Sequence, residues 1–161
     1  MTHKLKRYKT MFNIALYQPD IPQNTAAIIR LCACFNTTLE IIEPCGFLLD
    51  DKRLKRVAMD YLDKKKIIRH KSYESFLKTK KKSRIILMTT KAKKNYSEFK
   101  FKPKDTILFG RESAGVPNIV HKNSHQSLRI KLKKNARSLN VGMAAAITLS
   151  EALKQNYFFT K

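Results

Sequence analysis

The run ILFGRESAGVP (residues 107–117) holds two of the four glycines in a chain of 161 residues. Gly110 and Gly115 bracket an Arg-Glu-Ser triplet directly after an apolar, strand-like stretch. Glycine weakens regular elements and serves where the backbone turns sharply or something comes close to it. Two in six positions, in a chain so poor in them, mark a built site. The run also excludes common nucleotide sites. GRESAG has the spacing of a Walker loop, but Val116-Pro117 stand where that loop needs a lysine and a hydroxyl. A dinucleotide fingerprint needs G-x-G-x-x-G after the first strand, whereas FNIALY (12–17) continues as QPDIPQNTAA. A G-x-S-x-G nucleophile elbow is also missing.

Working outward, apolar strand-like runs recur at FNIALY (12–17), TLEII (38–42), KIIR (66–69), RIILMTT (84–90), TILFG (106–110) and SLRIKL (127–132). Helical patterns fall at 24–35, 51–62, 73–80 and 117–122, with a long one at 140–156. This alternation predicts an α/β fold, a mostly parallel sheet flanked by helices. The length suits a single domain, residues 12–161, behind a basic N-terminal arm at 1–11. In the first helix Ile28, Leu31, Cys32 and Phe35 recur at i, i+3, i+4 and i+7 and predict a buried stripe. Arg30 lies nearly opposite it, facing solvent, a cleft or a partner. In the last helix Val141, Ala145, Thr148, Leu149 and Ala152 share a face. There GMAAA (142–146) is nearly all small, which suits core packing, a tight helix crossing or a subunit contact.

Lys and Arg number 34 against 12 Asp and Glu, a formal charge of +22. Such a field favours a polyanion, nucleic acid above all; a lysine-rich, well-solvated surface is the other reading. No segment reaches the ~18 consecutive apolar residues of a membrane span. The early apolar run meets Gln18, Pro19 and Asp20 before a secretory h-region forms. Cys32, Cys34 and Cys45 are odd in number and lack zinc spacing, and His121 and His125 lack H-E-x-x-H chemistry. The cysteines read as buried hydrophobes, no metal is expected, and the compartment is expected to be the cytoplasm.

Three polar clusters remain, each at a strand end or helix start: PQNTAAIIR (22–30), FGRESAGVP (109–117) and NARSLNVGMAAAI (135–147). In an open α/β sheet such clusters converge beyond the carboxyl ends of the strands. In order and spacing they resemble motifs 1, 2 and 3 of the SPOUT methyltransferases. IEPCGFLLDDKRLKRVAMDY (42–61) and MTTK (88–91) are similar to the TrmL-type branch, which methylates the ribose 2′-oxygen at the wobble cytidine or uridine of leucine tRNAs. The resemblance spans about residues 12 to 156. It implies a C-terminal deep trefoil knot, a homodimer, S-adenosyl-L-methionine as methyl donor and the tRNA anticodon loop as substrate. It places Met88, Gly110, Ile130 and Ser138 at the cofactor, with Gly110 letting the backbone approach it. Asn24 and Arg30, Glu112, and Ser138 with Asn140 fall on the catalytic positions of motifs 1, 2 and 3. A guanidinium gives up its proton only at high cost, so Arg30 suits fixing a phosphate or polarising the 2′-hydroxyl better than acting as base. Arg7, Arg53 and Arg56, with Lys4, Lys6 and Lys55, are candidates for RNA contacts. The chain departs from the family pattern at Ala26, where glycine is usual, at Lys131, where proline is common, and at Gly142-Met143, often Ser-Asn. A related enzyme acting on ribosomal RNA or another tRNA site, and a non-catalytic basic RNA-binding protein, are the alternatives.

Overall fold

The structure, a computed structural model, describes residues 12–49, 52, 56 and 67–156. Six strands form its sheet: β1 (Asn13–Tyr17), β2 (Thr38–Ile42), β3 (Ile67–His70), β4 (Ile85–Met88), β5 (Thr106–Phe109) and β6 (Gln126–Leu128). Their spatial order is β3-β2-β1-β5-β4-β6, and every pairing is parallel. Parallel strands need crossovers, and helices α1 (Pro22–Cys34), α2 (Tyr73–Thr79), α3 (Asn118–Asn123) and α4 (Val141–Gln155) cover the two faces.

Side chains alternate across the sheet with the period of two that strands impose. Ile14, Leu16, Leu39, Ile41, Ile86, Met88, Ile107 and Phe109 pack with α1 and α4. Ala15, Tyr17, Ile42, Ile85, Leu87 and Leu108 pack with Tyr73 and Phe76 of α2 and Val120 of α3. The buried face of α1 is rotated from the predicted stripe: Thr25, Ile28, Ile29 and Cys32 are buried, while Leu31 and Phe35 lie half-buried at its margin. The helix leans on the sheet with one flank and on α4 with the other, so a simple stripe misplaces one residue per turn. The small residues of α4 serve a crossing within the chain: α4 packs on α1, and a Cβ on Gly142 would lie 3.7 Å from that of Ala27.

The strand expected over 127–132 is shorter. After Leu128, Arg129 donates its N–H to Lys94 O and accepts from Tyr96 N, both at 2.9 Å, and Ile130–Leu132 leave the sheet. The helix expected over 51–62 lies outside the described residues except for Lys52 and Arg56, both helical and exposed. Of the cysteines, Cys32 is buried, Cys45 half-buried and Cys34 exposed. The hydrophobe reading holds for Cys32, where burial pushes the thiol up to about 12, and in part for Cys45, which packs against the core with its thiol pushed by burial to about 11; exposed Cys34 departs from it.

The α2 side holds a polar cluster that the hydrophobic pattern conceals. Glu40, in the middle of β2, is 2% exposed, with His70 at 6% and Lys80 at 9%. His70 Nε2 lies 2.7 Å from Glu40 Oε2, and Lys80 Nζ donates to Glu40 Oε1. Lys80 also sits over the Phe76 ring, 5.1 Å from its centroid. Removing one partner of a buried ion pair leaves an uncompensated charge, which costs about 3–5 kcal/mol. Glu40→Ala is therefore expected to lower the unfolding free energy, read from urea denaturation, by that much, whereas Lys81→Ala at an exposed neighbour stays within about 0.5 kcal/mol.

Candidate active site

The strand order creates the site. From β1 the chain turns to β2 on one side, whereas the segment after β5 leads by way of α3 to β6 on the other. The carboxyl ends of β1 and β5 are therefore a topological switch point, where an open α/β sheet leaves a crevice. The segments leaving these ends bond directly across it. Asp20 N donates to Glu112 Oε2 and Glu112 N to Asp20 Oδ1, each at 3.1 Å. Ser113 Oγ also donates to Asp20 Oδ2. Asn24 Nδ2 donates to Glu112 Oε1 at 3.1 Å, and Asn140 Nδ2 to Asn24 Oδ1 at 2.8 Å. Asn140 Oδ1 caps α4 by accepting from Gly142 N and Met143 N at 2.8 and 3.3 Å. One hydrogen-bond chain thus runs from the end of β1 through the loop after β5 and the start of α1 to the N-terminus of α4.

Hydrogen bonding with Glu112 pulls the Asp20 carboxyl from 3.8 down to about 2, against the effect of burial. Burial, and then the adjacent Asp20 side chain, raises the Glu112 carboxyl above its ordinary value. In this pair Asp20 carries the charge and Glu112 keeps its proton more readily.

The loop after β5 closes on itself. Arg111 N donates to Gly115 O at 3.0 Å, and Gly115 N donates to Arg111 O at 2.9 Å. Gly115 has φ +66, in the left-handed region that a side chain strains, and a Cβ on Gly110 would lie 2.7 Å from the Gly115 carbonyl carbon. Gly110 borders the cavity, as the sequence suggests, but its missing side chain is required by Gly115, whatever the cavity holds.

Around this loop lies a cavity of about 560 Å³, a size typical of small-molecule sites. Leu87, Met88, Phe109, Val116, Ile130 and Leu132 give it an apolar wall, and Asn24, Glu112, Ser138 and Asn140 a polar one. The first suits a flat heteroaromatic base. The second offers hydroxyl, amide and carboxyl groups for a polar, cationic tail, so the residues fit the nucleoside cofactor that the motifs imply.

Comparison with known proteins agrees with this geometry. Residues 11–150 match the SpoU rRNA methylase family. This chain belongs to that family. Among its relatives, a tRNA (cytidine(34)-2′-O)-methyltransferase of Beijerinckia indica is 47% identical over 146 residues, 88% of this chain and 90% of its own. The Escherichia coli K12 protein of the same name is 39% identical, over 90% of this chain and 94% of its own. A solved structure from work on the 2-OH methylation of C/U34 on tRNA superposes with a TM-score of 0.87 at 33% identity, over 92% of this chain and 98% of its own.

The SpoU motifs land unevenly. Met88, Gly110, Ile130, Ser138, Asn24, Glu112 and Asn140 all line the cavity. Arg30 does not: it is exposed on the outer face of α1. Arg56 is exposed, and Arg7, Arg53, Lys4, Lys6 and Lys55 lie outside the described residues. Sequence reasoning passed over Asp20, although Q-P-D directly after a strand is a signal for the switch point. It also passed over Arg111 and Arg137, which line the cavity from inside two quoted motifs.

Two outcomes follow for this clamp. Gly110→Ala has to force the loop open, an overpacking cost of about 1–3 kcal/mol, read from chemical denaturation. Because the Asp20 pKa is lower folded than unfolded, its contribution to stability is complete above 3.8 and lost as pH falls through about 2. Asp20→Asn is expected to lower the urea midpoint at pH 7, with the deficit shrinking as pH drops through that window. Glu112, its pKa raised from 4.5, acts with the opposite sign and loses its contribution as pH rises through the shifted value.

Proposed function

We propose that this protein transfers a methyl group from S-adenosyl-L-methionine to the ribose 2′-oxygen of the wobble nucleotide, cytidine or uridine 34, in leucine tRNAs. The observation that carries the reading is the cavity at the switch point, assembled from all three motifs. Relatives named for methylation at position 34 that match this chain almost end to end support it.

When bound, the donor supplies an electrophilic methyl on a cationic sulfonium. The chain's own task is positioning: the attacking oxygen must stand about 3–3.5 Å from that carbon, in line. The apolar wall from Leu87 to Leu132 holds the base. Asn24, Glu112 and Asn140, bonded to one another, fix the polar wall and keep the two loops in register. Ser138 adds a hydroxyl to that wall. Arg30 fixes a substrate phosphate or polarises the 2′-hydroxyl, and the proton leaves through phosphate or water. Its place on the outer face of α1 suits a homodimer in which this face meets a second copy. Exposed Ile21, Leu139 and Met143 beside the cavity mouth support such a contact. Arg7, Arg53 and Arg56 bind the anticodon arm, and work on tRNA places the protein in the cytoplasm. Among the described residues no helix is long and apolar enough to cross a membrane. The knotted C-terminal path belongs to the same reading. It is supported by the course of residues 129–140 from the β6 edge past the ends of β4 and β5 to Asn24 of α1.

Incubation with methyl-labelled S-adenosyl-L-methionine and leucine tRNA, followed by nuclease digestion and mass spectrometry, tests the reading. A 2′-O-methyl pyrimidine at position 34 is expected; label elsewhere in RNA, or none with cofactor binding also absent, overturns it. Binding of that tRNA is expected to fall steeply with salt, log K declining by about 0.9 or less per phosphate neutralised and per decade of salt. A flat salt dependence in filter binding contradicts a phosphate-led contact.

A further inference from the structure

Arg111 follows β5 after Gly110, and both its backbone groups are bonded to Gly115, at 3.0 and 2.9 Å. Its α-carbon is therefore fixed on the cavity wall. The guanidinium is not satisfied: Nε is shielded from solvent and has no hydrogen-bond partner. The carboxylate of Asp20 lies 3.8 Å away through Oδ2, beyond hydrogen-bond reach. That carboxylate is already engaged by Glu112 N and Ser113 Oγ. Asp20 thus steers the guanidinium without filling it. The side chain is 38% exposed through atoms other than Nε, so an incoming group can reach it from that side.

A guanidinium edge is a two-donor fork matched to an oxyanion. Arg137 lines the same cavity and adds positive charge. The RNA brings a phosphodiester on the carbon next to the one that bears the 2′-oxygen. A receptor for that phosphate fixes the oxygen to be methylated. We infer that Arg111 binds the phosphodiester 3′ of the target nucleotide and is a substrate-positioning residue of the reaction. This rests on the function proposed above.

The test is a double substitution across the contact. Full-length leucine tRNA is assembled by ligation with a neutral methylphosphonate 3′ of nucleotide 34. It is assayed beside unmodified tRNA with the wild type, Arg111→Ala and Arg111→Lys. Losing one charge-assisted contact is expected to lower kcat/KM by about 10- to 100-fold, whether from the protein side or the RNA side. Both changes together do no more than either alone. Arg111→Lys, which keeps the charge but not the fork, recovers part of the loss. S-adenosyl-L-methionine affinity, measured by calorimetry, is unchanged in both variants, which also shows that they fold. Multiplicative losses overturn the inference. So does weakened cofactor binding with unchanged KM for RNA, which assigns the fork to the cofactor's carboxylate. A wild type that leaves position 34 of unmodified tRNA unmethylated counts against the proposed function instead.

Discussion

The structure depends on one chain of hydrogen bonds, from Asp20 through Glu112 and Asn24 to Asn140. Its links join residues 92, 88 and 116 positions apart in sequence. The sheet leaves a crevice at the switch point, but a crevice alone has no fixed walls. The Glu112 carboxylate holds the start of α1 and the end of β1 together, and Asn140 ties α4 to the same point. Each member is bonded to at least one other, and the remaining oxygens of Asn140 and Asp20 are taken by the α4 cap and by Ser113, so these groups are oriented before any ligand arrives. Such partly buried networks are stabilising when complete and costly when one member is lost. Asn24, Glu112 and Asn140 thus act first as the frame of the site. Whatever they do to a substrate, they do from fixed positions.

The far end of α4 is held as firmly as its cap. Gln155 Oε1 accepts from Phe101 N at 2.9 Å, and Asn156 Nδ2 donates to Phe101 O at 3.2 Å. A helix pinned at both ends can carry a small-residue face against α1 without sliding. Ala26 of α1 is itself fully buried, in the same core cluster as Ala145 and Leu149 of that helix. On the opposite face of the sheet, the Glu40–His70–Lys80 cluster joins β2, β3 and the end of α2. That cluster braces the β2–β3 edge, whereas the cavity opens at the carboxyl ends of β4 and β5 and takes wall residues from both faces.

Much of this was legible in the sequence because it follows from periodicity. All six strands and the parallel class come from alternating apolar runs separated by helical ones. The motif residues gather because strand ends are where side chains leave a parallel sheet. What was not legible depends on three-dimensional neighbours. Glu40 reads as a polar residue in an apolar strand, and nothing local announces that Lys80, 40 positions later, comes back to meet it. Ile29 replaces Leu31 in the core because α1 touches a sheet and a helix at once. The side-chain face of Arg30 was read correctly, but a helix face does not say which cavity it serves. Gly110 was assigned to close approach of the cofactor, but the contact that requires its missing side chain is internal. The approaching backbone is that of Gly115, a partner that only the closed loop reveals.

The most direct measurement is a double-mutant cycle between Asn24→Ala and Glu112→Ala, read by calorimetric titration of S-adenosyl-L-methionine. If one network frames the cavity, the two substitutions are coupled. The double variant then loses less affinity than the sum of the singles, by about 0.5–3 kcal/mol. Additive losses would contradict the account, because they would mean that the two side chains serve the cofactor site independently.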